Sequence, residues 1–470
     1  MPQGDHRSGR ERTVSRWWVE AMRNLAVARG VDVAGEGAIN SRNWMESRIL
    51  TAERRGSFDE SLLLAMTRGI ASSHADLQLQ RSHLATTFDI ELGEDERVGP
   101  LKRGLEMIDE RLVGFNRFTG DLSGAGVISP AGDGRAVSPS LLEQWATCPR
   151  RYFLARVLGL GEIERPEEIV EISALDRGSL VHVILEDFIR ESLDESSATT
   201  TISDPEQRWT EQDRRRLVEI AHMHFQEYED LNRTGKAVLW EIRKEETLAD
   251  LELFLRFDED LRMNRRTIPR DVEMPFGMEH RYESSKDAAV VDLVGGRTLS
   301  LRGLIDRVDT RPQDGAPVVI DYKTSKAQGQ KDFDTDPVRG GTKLQLGAYA
   351  YAAKQAFGSA DAYAYYWYAS SKGGFKTAGY RWSDDQDGRF VTAVTTILDG
   401  IEAGQFPPNP GEYNQFFGDH DNCRYCPFNR LCPGDRAEEL EAAISSGRLV
   451  DYVAMKEPDL DADENAGGLS

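Results

Sequence analysis

Residues 301–326, LRGLIDRVDTRPQDGAPVVIDYKTSK, constrain the fold more than any other stretch, because they place two aspartates and a lysine where two short apolar runs end. The first run, Leu301 to Val308, is interrupted by Asp306, and the polar segment Asp309 to Ala316, with Pro312, Asp314 and Gly315, predicts a hairpin turn. The second run, Pro317-Val318-Val319-Ile320, is β-branched and apolar like a buried strand, and ends in Asp321-Tyr322-Lys323. Strand side chains alternate faces, so Asp321 and Lys323 point one way and Tyr322 the other, and the hairpin brings Asp306 alongside. Two carboxylates beside an ammonium suit phosphodiester hydrolysis. The carboxylates hold a hard divalent cation that polarises the phosphate and activates water, while the ammonium stabilises charge developing on phosphorus. Magnesium completes its octahedron with water and a backbone carbonyl, here that of Tyr322. Taken alone, the trio reads more readily as a solvated strand edge.

The order of the strings around the trio argues otherwise. Arg177-Gly178-Ser179-Leu180-Val181-His182 precedes it and Gln345-Leu346-Gly347-Ala348-Tyr349 follows. Together, GSLVH, GLIDRVD, DYKTSK and QLGAYAYA resemble the PD-(D/E)XK nuclease domain of the RecB/AddB helicase–nuclease family, over roughly Ser138 to Pro433. The resemblance implies an α/β, restriction-endonuclease-like fold, with a mixed central sheet flanked by helices. It implies Asp306, Asp321, Lys323, Gln345 and Tyr349 as catalytic residues. One or two Mg2+ ions would be held by His182, Asp306, Asp321 and the Tyr322 carbonyl. By itself His182, between Val181 and Val183 in an apolar helix, reads as a core residue; the resemblance makes it a metal ligand. One departure is that no Pro-Asp pair stands at the first acid, which lies in an IDR string. The implied activity is a Mg2+-dependent deoxyribonuclease, an exonuclease acting on single strands or duplex ends in break repair and recombination. A helicase subunit or a longer parent chain would supply the motor. The alternative is a non-catalytic DNA-binding scaffold subunit, against which the complete catalytic string speaks.

At 470 residues the chain has room for two or three domains with ample core. Its 39% apolar content excludes a wholly disordered chain. The net charge of −22 excludes a generic polyanion binder, so DNA binding requires a local basic surface or a larger complex that supplies one. No apolar run approaches the roughly 18 residues that a membrane helix needs. Met1–Arg16 is polar and lacks the apolar core of a signal peptide, so the expected location is the cytoplasm, with no membrane partner. In that reducing setting the four cysteines, Cys148 and the Cys423-x2-Cys426-x5-Cys432 group, read as ligands of a metal or cluster rather than disulfides. Four sulfurs suit either a tetrahedral Zn2+ or a [4Fe–4S] cluster. Their one-plus-three split resembles the iron–sulfur staple of AddB-type nucleases, which implies the [4Fe–4S] cluster.

Residues 1–130 are expected to form a mainly helical region resembling the end of a helicase-like module. The chain contains no Gly-x4-Gly-Lys-[Ser/Thr] and therefore no phosphate-cradling loop for ATP. The paired Trp17-Trp18 read as core, or less simply as a stacking platform for bases. Gly124 to Gly134 is the linker candidate, and the nuclease domain is expected over 138–433, opening with Ser138 as N-cap before Pro139. Arg150, Arg151 and Arg156 suit either phosphate contact or a solvated helix face. His222 and His224 read as ordinary surface or packing residues, Glu279 as a strand residue near the site, and the acidic run through Asp258, Glu259 and Asp260 as a solvated helix face. Gln345 and Tyr349, four apart, share one face of a helix over 343–357. Residues 434–470 are expected to form a helix and an acidic disordered tail.

Overall fold

The computed structural model describes residues 107, 110–111, 113–127, 129–161, 170–197, 199–327 and 329–457. The expected helical region over 1–130 lies mostly outside these residues, Trp17-Trp18 included, as does nearly all of the acidic tail. The chain forms two compact units, Met1–Thr119 with Pro410–Tyr425 and Gly120–Asn409 with Cys426–Ser470. In the first unit the described part holds a small hairpin, Tyr413–Asn414 paired with Asp419–His420.

The second unit is built on a five-stranded mixed sheet. In chain order its strands are β1 (Ile268–Phe276), β4 (Gly303–Thr310), β5 (Pro317–Tyr322), β6 (Tyr363–Trp367) and β7 (Thr377–Arg381), and they lie side by side in that order. Between β1 and β4 the chain makes a separate two-stranded hairpin, β2 (Ala289–Asp292) with β3 (Thr298–Leu301). β5 is the central strand, antiparallel to β4 and parallel to β6, and all six of its residues are buried. That explains its unbroken apolar run: both faces are covered, so no alternation is needed. β1 is an edge strand, where Pro269 and Pro275 are tolerated, and its register shifts between Pro269 and Asp271.

The main helices of this unit are α1 (Pro139–Thr147), α2 (Pro149–Tyr152), α3 (Ala174–Leu193), α4 (Glu211–Asp230), α5 (Ala237–Arg265), α6 (Gln330–Thr335), α7 (Gln345–Phe357), α8 (Asp384–Glu402), α9 (Arg436–Ser445) and α10 (Val450–Lys456). Helix α3 packs on β1 and β4, with α4 behind it, and α7 packs on β5 and β6. Leu180, Ile184 and Phe188 of α3, Leu217 and Phe225 of α4, and Phe254 of α5 share one core with Ile320, Tyr322 and Trp367 of the sheet. Phe254 stacks on Trp367 with ring centroids 4.8 Å apart. Ser138 precedes α1 as expected, but its hydroxyl faces Ser140 Oγ at 3.2 Å instead of capping an amide. Among the described residues no helix is long and apolar enough to cross a membrane.

Two expectations are corrected by burial. Asp258, expected on a solvated face, and Asp309, expected in the turn, are both fully buried. Arg307 of β4 bridges them: its Nη1 lies 2.6 Å from Asp258 Oδ1 and its Nε 2.6 Å from Asp309 Oδ1. Arg262, one turn after Asp258, adds a second guanidinium at 2.8 Å, and Trp209 Nε1 donates to Asp258 Oδ2 at 2.8 Å. Burial pushes the Asp258 carboxyl up, but Arg307 and Arg262 outweigh it and hold the group below its ordinary value. The cause lies in the period of α5, since Leu251, Phe254, Leu255, Asp258 and Arg262 fall on one stripe that faces the sheet. His224 is a packing residue, buried between Asp187 Oδ2 at 2.7 Å and Glu227 Oε2 at 2.8 Å, and His222 is exposed. Arg150 forms an ion pair with Glu439 at 2.8 Å, so its charge is engaged inside the protein.

Candidate active site

The β4–β5 hairpin forms as its sequence predicts, with Thr310 opposite Pro317 and Arg307 opposite Ile320. Its turn closes through the Arg311 amide donating to the Ala316 carbonyl at 3.0 Å, with Gly315 in the left-handed region at φ 69°. Past the Arg307 pair, a side chain replaces a backbone partner: Asp306 Oδ2 accepts the Tyr322 amide at 2.7 Å. The same oxygen lies 3.4 Å from His182 Nδ1. His182 projects from α3, whose neighbouring Leu180 and Val181 enter the core and anchor the turn. Its Nε2 stands 2.9 Å from the Tyr322 carbonyl oxygen, which can only accept, so Nε2 carries the proton. The backbone of Tyr322 thereby orients both side chains, leaving Nδ1 toward Asp306. The Tyr322 carbonyl, expected as a metal ligand, here receives the His182 hydrogen bond. Burial pulls the His182 imidazole down, but the Asp306 hydrogen bond and the charges of Asp306 and Asp321 prevail and raise it to about 9.

Sequence reasoning missed a further acid. Glu273 of β1 brings a carboxylate to the His182–Asp306 pair, and the ligand atoms of these three residues all lie within 4.8 Å of one another. Burial, then the charges of Asp306 and Glu186, push Glu273 up to about 8. Glu279, weighed in its place, is exposed in the turn after β1. The available signal was the alternation of β1, where Glu273 separates the buried Val272 and Met274 and so belongs to the opposite face.

Asp321 and Lys323 share a face as expected, and their side chains form an ion pair. Burial and the Asp306 charge push the Asp321 carboxyl up, partly offset by Lys323. Burial lowers Lys323, but Asp321 and Asp306 outweigh it and the ammonium is held above its ordinary range. Lys323 Nζ also lies 3.4 Å from Gln345 Oε1 and 5.0 Å above the centre of the Tyr366 ring. Gln345 opens α7, two residues later than expected, and its side chain is paired with the Tyr349 hydroxyl one turn on. Tyr349 is buried edge-on against Phe276, with centroids 6.0 Å apart. Gly303 has no room for a side chain here, since a Cβ would stand 2.9 Å from the Phe276 ring and 3.1 Å from Tyr349. His182, Asp306, Asp321, Lys323, Gln345 and Tyr349 thus converge on one end of β4 and β5, joined by Glu273.

None of the four cysteines is joined to another by a disulfide. Cys148 follows α1 and its sulfur accepts the Asn409 amide at 3.3 Å. Burial raises Cys426 and pushes Cys432 up to about 11, and the Cys148 charge adds to both, so these three sulfurs are electrostatic neighbours. Arg150, Arg151 and Arg436 act in the opposite sense. Cys423 is buried with its sulfur 4.0 Å from the Pro410 carbonyl.

This combination of mixed sheet, strand-end Asp-x-Lys and facing helix defines a nuclease class, and residues 136–433 match the model of the PD-(D/E)XK nuclease superfamily. The chain belongs to that superfamily. Its curated relatives are named as one of the subunits of an ATP-dependent helicase/deoxyribonuclease. The protein of Carboxydothermus hydrogenoformans is 24% identical over 420 residues, 71% of this chain and 35% of that protein. That of Symbiobacterium thermophilum is 30% identical over 225 residues, 47% of this chain and 18% of its own. That of Clostridium perfringens is 27% identical over 222 residues, 46% of this chain and 17% of its own. The chain therefore spans between about a sixth and a third of the length of these relatives.

Proposed function

We propose that this chain is a Mg2+-dependent deoxyribonuclease, an exonuclease that works in double-strand break repair and recombination beside a helicase. The observation that carries the reading is the convergence of Asp306, Asp321 and Lys323 with His182 and Glu273 at one end of β4 and β5. The donor set fits a hard divalent cation. It is rich in carboxylate oxygen, and Asp306 raises both Glu273 and Asp321, a mutual repulsion that a cation relieves. His182 Nδ1, Asp306, Asp321 and Glu273 are the proposed ligands. A bound Mg2+ supplies charge that polarises the scissile phosphate and acidifies water. Lys323 offers its ammonium to the developing negative charge, and Gln345 fixes the direction of that ammonium. The Tyr322 backbone holds His182 and Asp306 in place. The helicase partner is supported by the names of the relatives, which join the two activities in one system.

Cys148, Cys423, Cys426 and Cys432 are proposed ligands of a structural [4Fe–4S] cluster. What supports this is the closeness of Cys148, Cys426 and Cys432, whose charges push the thiols of Cys426 and Cys432 up, a repulsion that a bound metal core relieves, and the arginines around them, which partly offset that rise.

The test is cleavage of end-labelled single-stranded and duplex DNA with and without Mg2+. Wild type should cut only with the metal and should spare covalently closed circles. Lys323→Ala should lower the rate by roughly two to four orders of magnitude, and Asp321→Ala should abolish it, with DNA binding retained. Cutting by both variants at the wild-type rate would remove the site assignment, and equal cutting of closed circles would remove the exonuclease.

A further inference from the structure

Glu143 stands on α1, five residues before Cys148, and the chemistry assigned above gives it no task. Its Oε1 accepts two backbone amides from a segment far along the chain, Leu344 at 2.6 Å and Gln345 at 3.1 Å. These are the N-cap and first residue of α7, and the α7 N-cap makes no side-chain capping bond of its own. Amides at a helix start lack intrahelical acceptors, and a carboxylate there meets the positive end of the helix dipole. Glu143 therefore satisfies from α1 the amides of the N-cap and the first helical residue, whereas a Ser or Asp at position 344 would reach those two or three residues further on. The amide it holds belongs to Gln345, whose Oε1 reaches Lys323 and whose side chain is paired with Tyr349. Lys323 and Lys343 are near enough to act on the Glu143 carboxylate.

We infer that Glu143 is a positioning residue of the nuclease site, keying helix α1, which Cys148 follows, to the Gln345–Lys323 contact by holding the first turn of α7. The inference rests on the nuclease reading given above. The important atom is the acceptor oxygen, which glutamine retains and alanine lacks.

The experiment compares wild type, Glu143→Gln, Glu143→Ala, Gln345→Ala and the double variant Glu143→Ala/Gln345→Ala, all below their melting temperatures. Glu143→Ala should lower kcat on end-labelled DNA roughly 10- to 100-fold, as a displaced catalytic group does, and leave KM nearly unchanged. Glu143→Gln should recover most of that loss. The double variant should be no slower than Gln345→Ala alone, because one route carries both effects. Hydrogen exchange across residues 343–350 should quicken in Glu143→Ala and stay slow in Glu143→Gln. Wild-type kcat in Glu143→Ala, equal losses in the Gln and Ala variants, or losses that multiply in the double variant would each overturn the inference. If wild type cuts no DNA at all, the nuclease reading fails, and exchange decides for Glu143 separately: unchanged exchange in Glu143→Ala overturns its hold on α7, and quickened exchange supports it.

Discussion

Glu273 has left-handed backbone in the middle of a strand, at φ 47°, a conformation that costs a bulky residue about 1–3 kcal/mol. Such a residue persists only where its surroundings over-determine it, and here Val272 and Met274 are buried on either side. The carboxylate is doubly unfavourable without a cation, being both desolvated and close to Asp306 and Glu186. Two opposite signs follow for Glu273→Gln, which keeps the shape and removes the charge. In EDTA its melting temperature should rise above wild type, while its affinity for Mg2+ or Mn2+, measured by calorimetry, should fall by roughly 10- to 100-fold. A variant that loses thermal stability and keeps wild-type metal affinity would show Glu273 to be structural only.

Helix α5 and strand β4 are joined by charge as well as by apolar contact, because Arg307 cannot leave the interior and must find its counter-ions there. Asp258 supplies one from α5, and Asp309 another from β4 itself. Thr267 Oγ1 donates to Asp309 Oδ2 at 2.9 Å, and Arg262 reaches the Gln207 carbonyl at 2.8 Å, so few polar atoms of the group are idle. Removing one member strands the others. Asp258→Ala should destabilise the protein by about 3–5 kcal/mol in urea unfolding near neutral pH. The folded Asp258 carboxyl lies below its unfolded value of 3.8, so its contribution is fully present above that pH and is lost as pH falls through the folded value. The gap between wild type and Asp258→Ala should therefore narrow in acid. A gap that is absent at pH 7, or that widens in acid, would contradict the network.

At the scale of the molecule, the proposed nuclease reading asks an acidic chain of net charge −22 to meet a polyanion through a site whose own carboxylates are crowded. A divalent cation at those carboxylates would resolve the conflict locally, and a partner contributing positive surface would resolve it globally. The cysteines bear on a second global property, the joining of distant segments: Cys148 follows the first helix of the nuclease region and the other three lie near its end. A cluster on all four would close a very long loop and stabilise the fold through the unfolded chain's lost entropy. Anaerobically purified protein should be brown and contain about four irons per chain. Cys148→Ala should bleach it and lower its melting temperature. A colourless, zinc-loaded wild type would replace the cluster with a zinc site.

The sequence alone determined the β4–β5 hairpin, because its turn residues are adjacent and strand periodicity is local. For the same reason it determined that Asp321 and Lys323 share a face and that Gln345 and Tyr349 lie one turn apart. The order of short strings was enough for the class of fold and for naming most of the side chains that converge at one end of β4 and β5. Tertiary structure alone decided which other charged groups are buried and what they touch. Asp258 and Arg307 are 49 positions apart, His182 and the Tyr322 carbonyl 140, and Glu143 and the Leu344 amide 201. Periods of two and 3.6 residues show which face a side chain is on, and nothing about what packs against that face. Asp258 therefore looked like one more acid on a charged helix, and Glu273 was passed over. Whether a carboxylate is solvated, paired or placed at a metal site depends on groups brought to it by folding, and that was decided only when the sheet and its helices closed around β5.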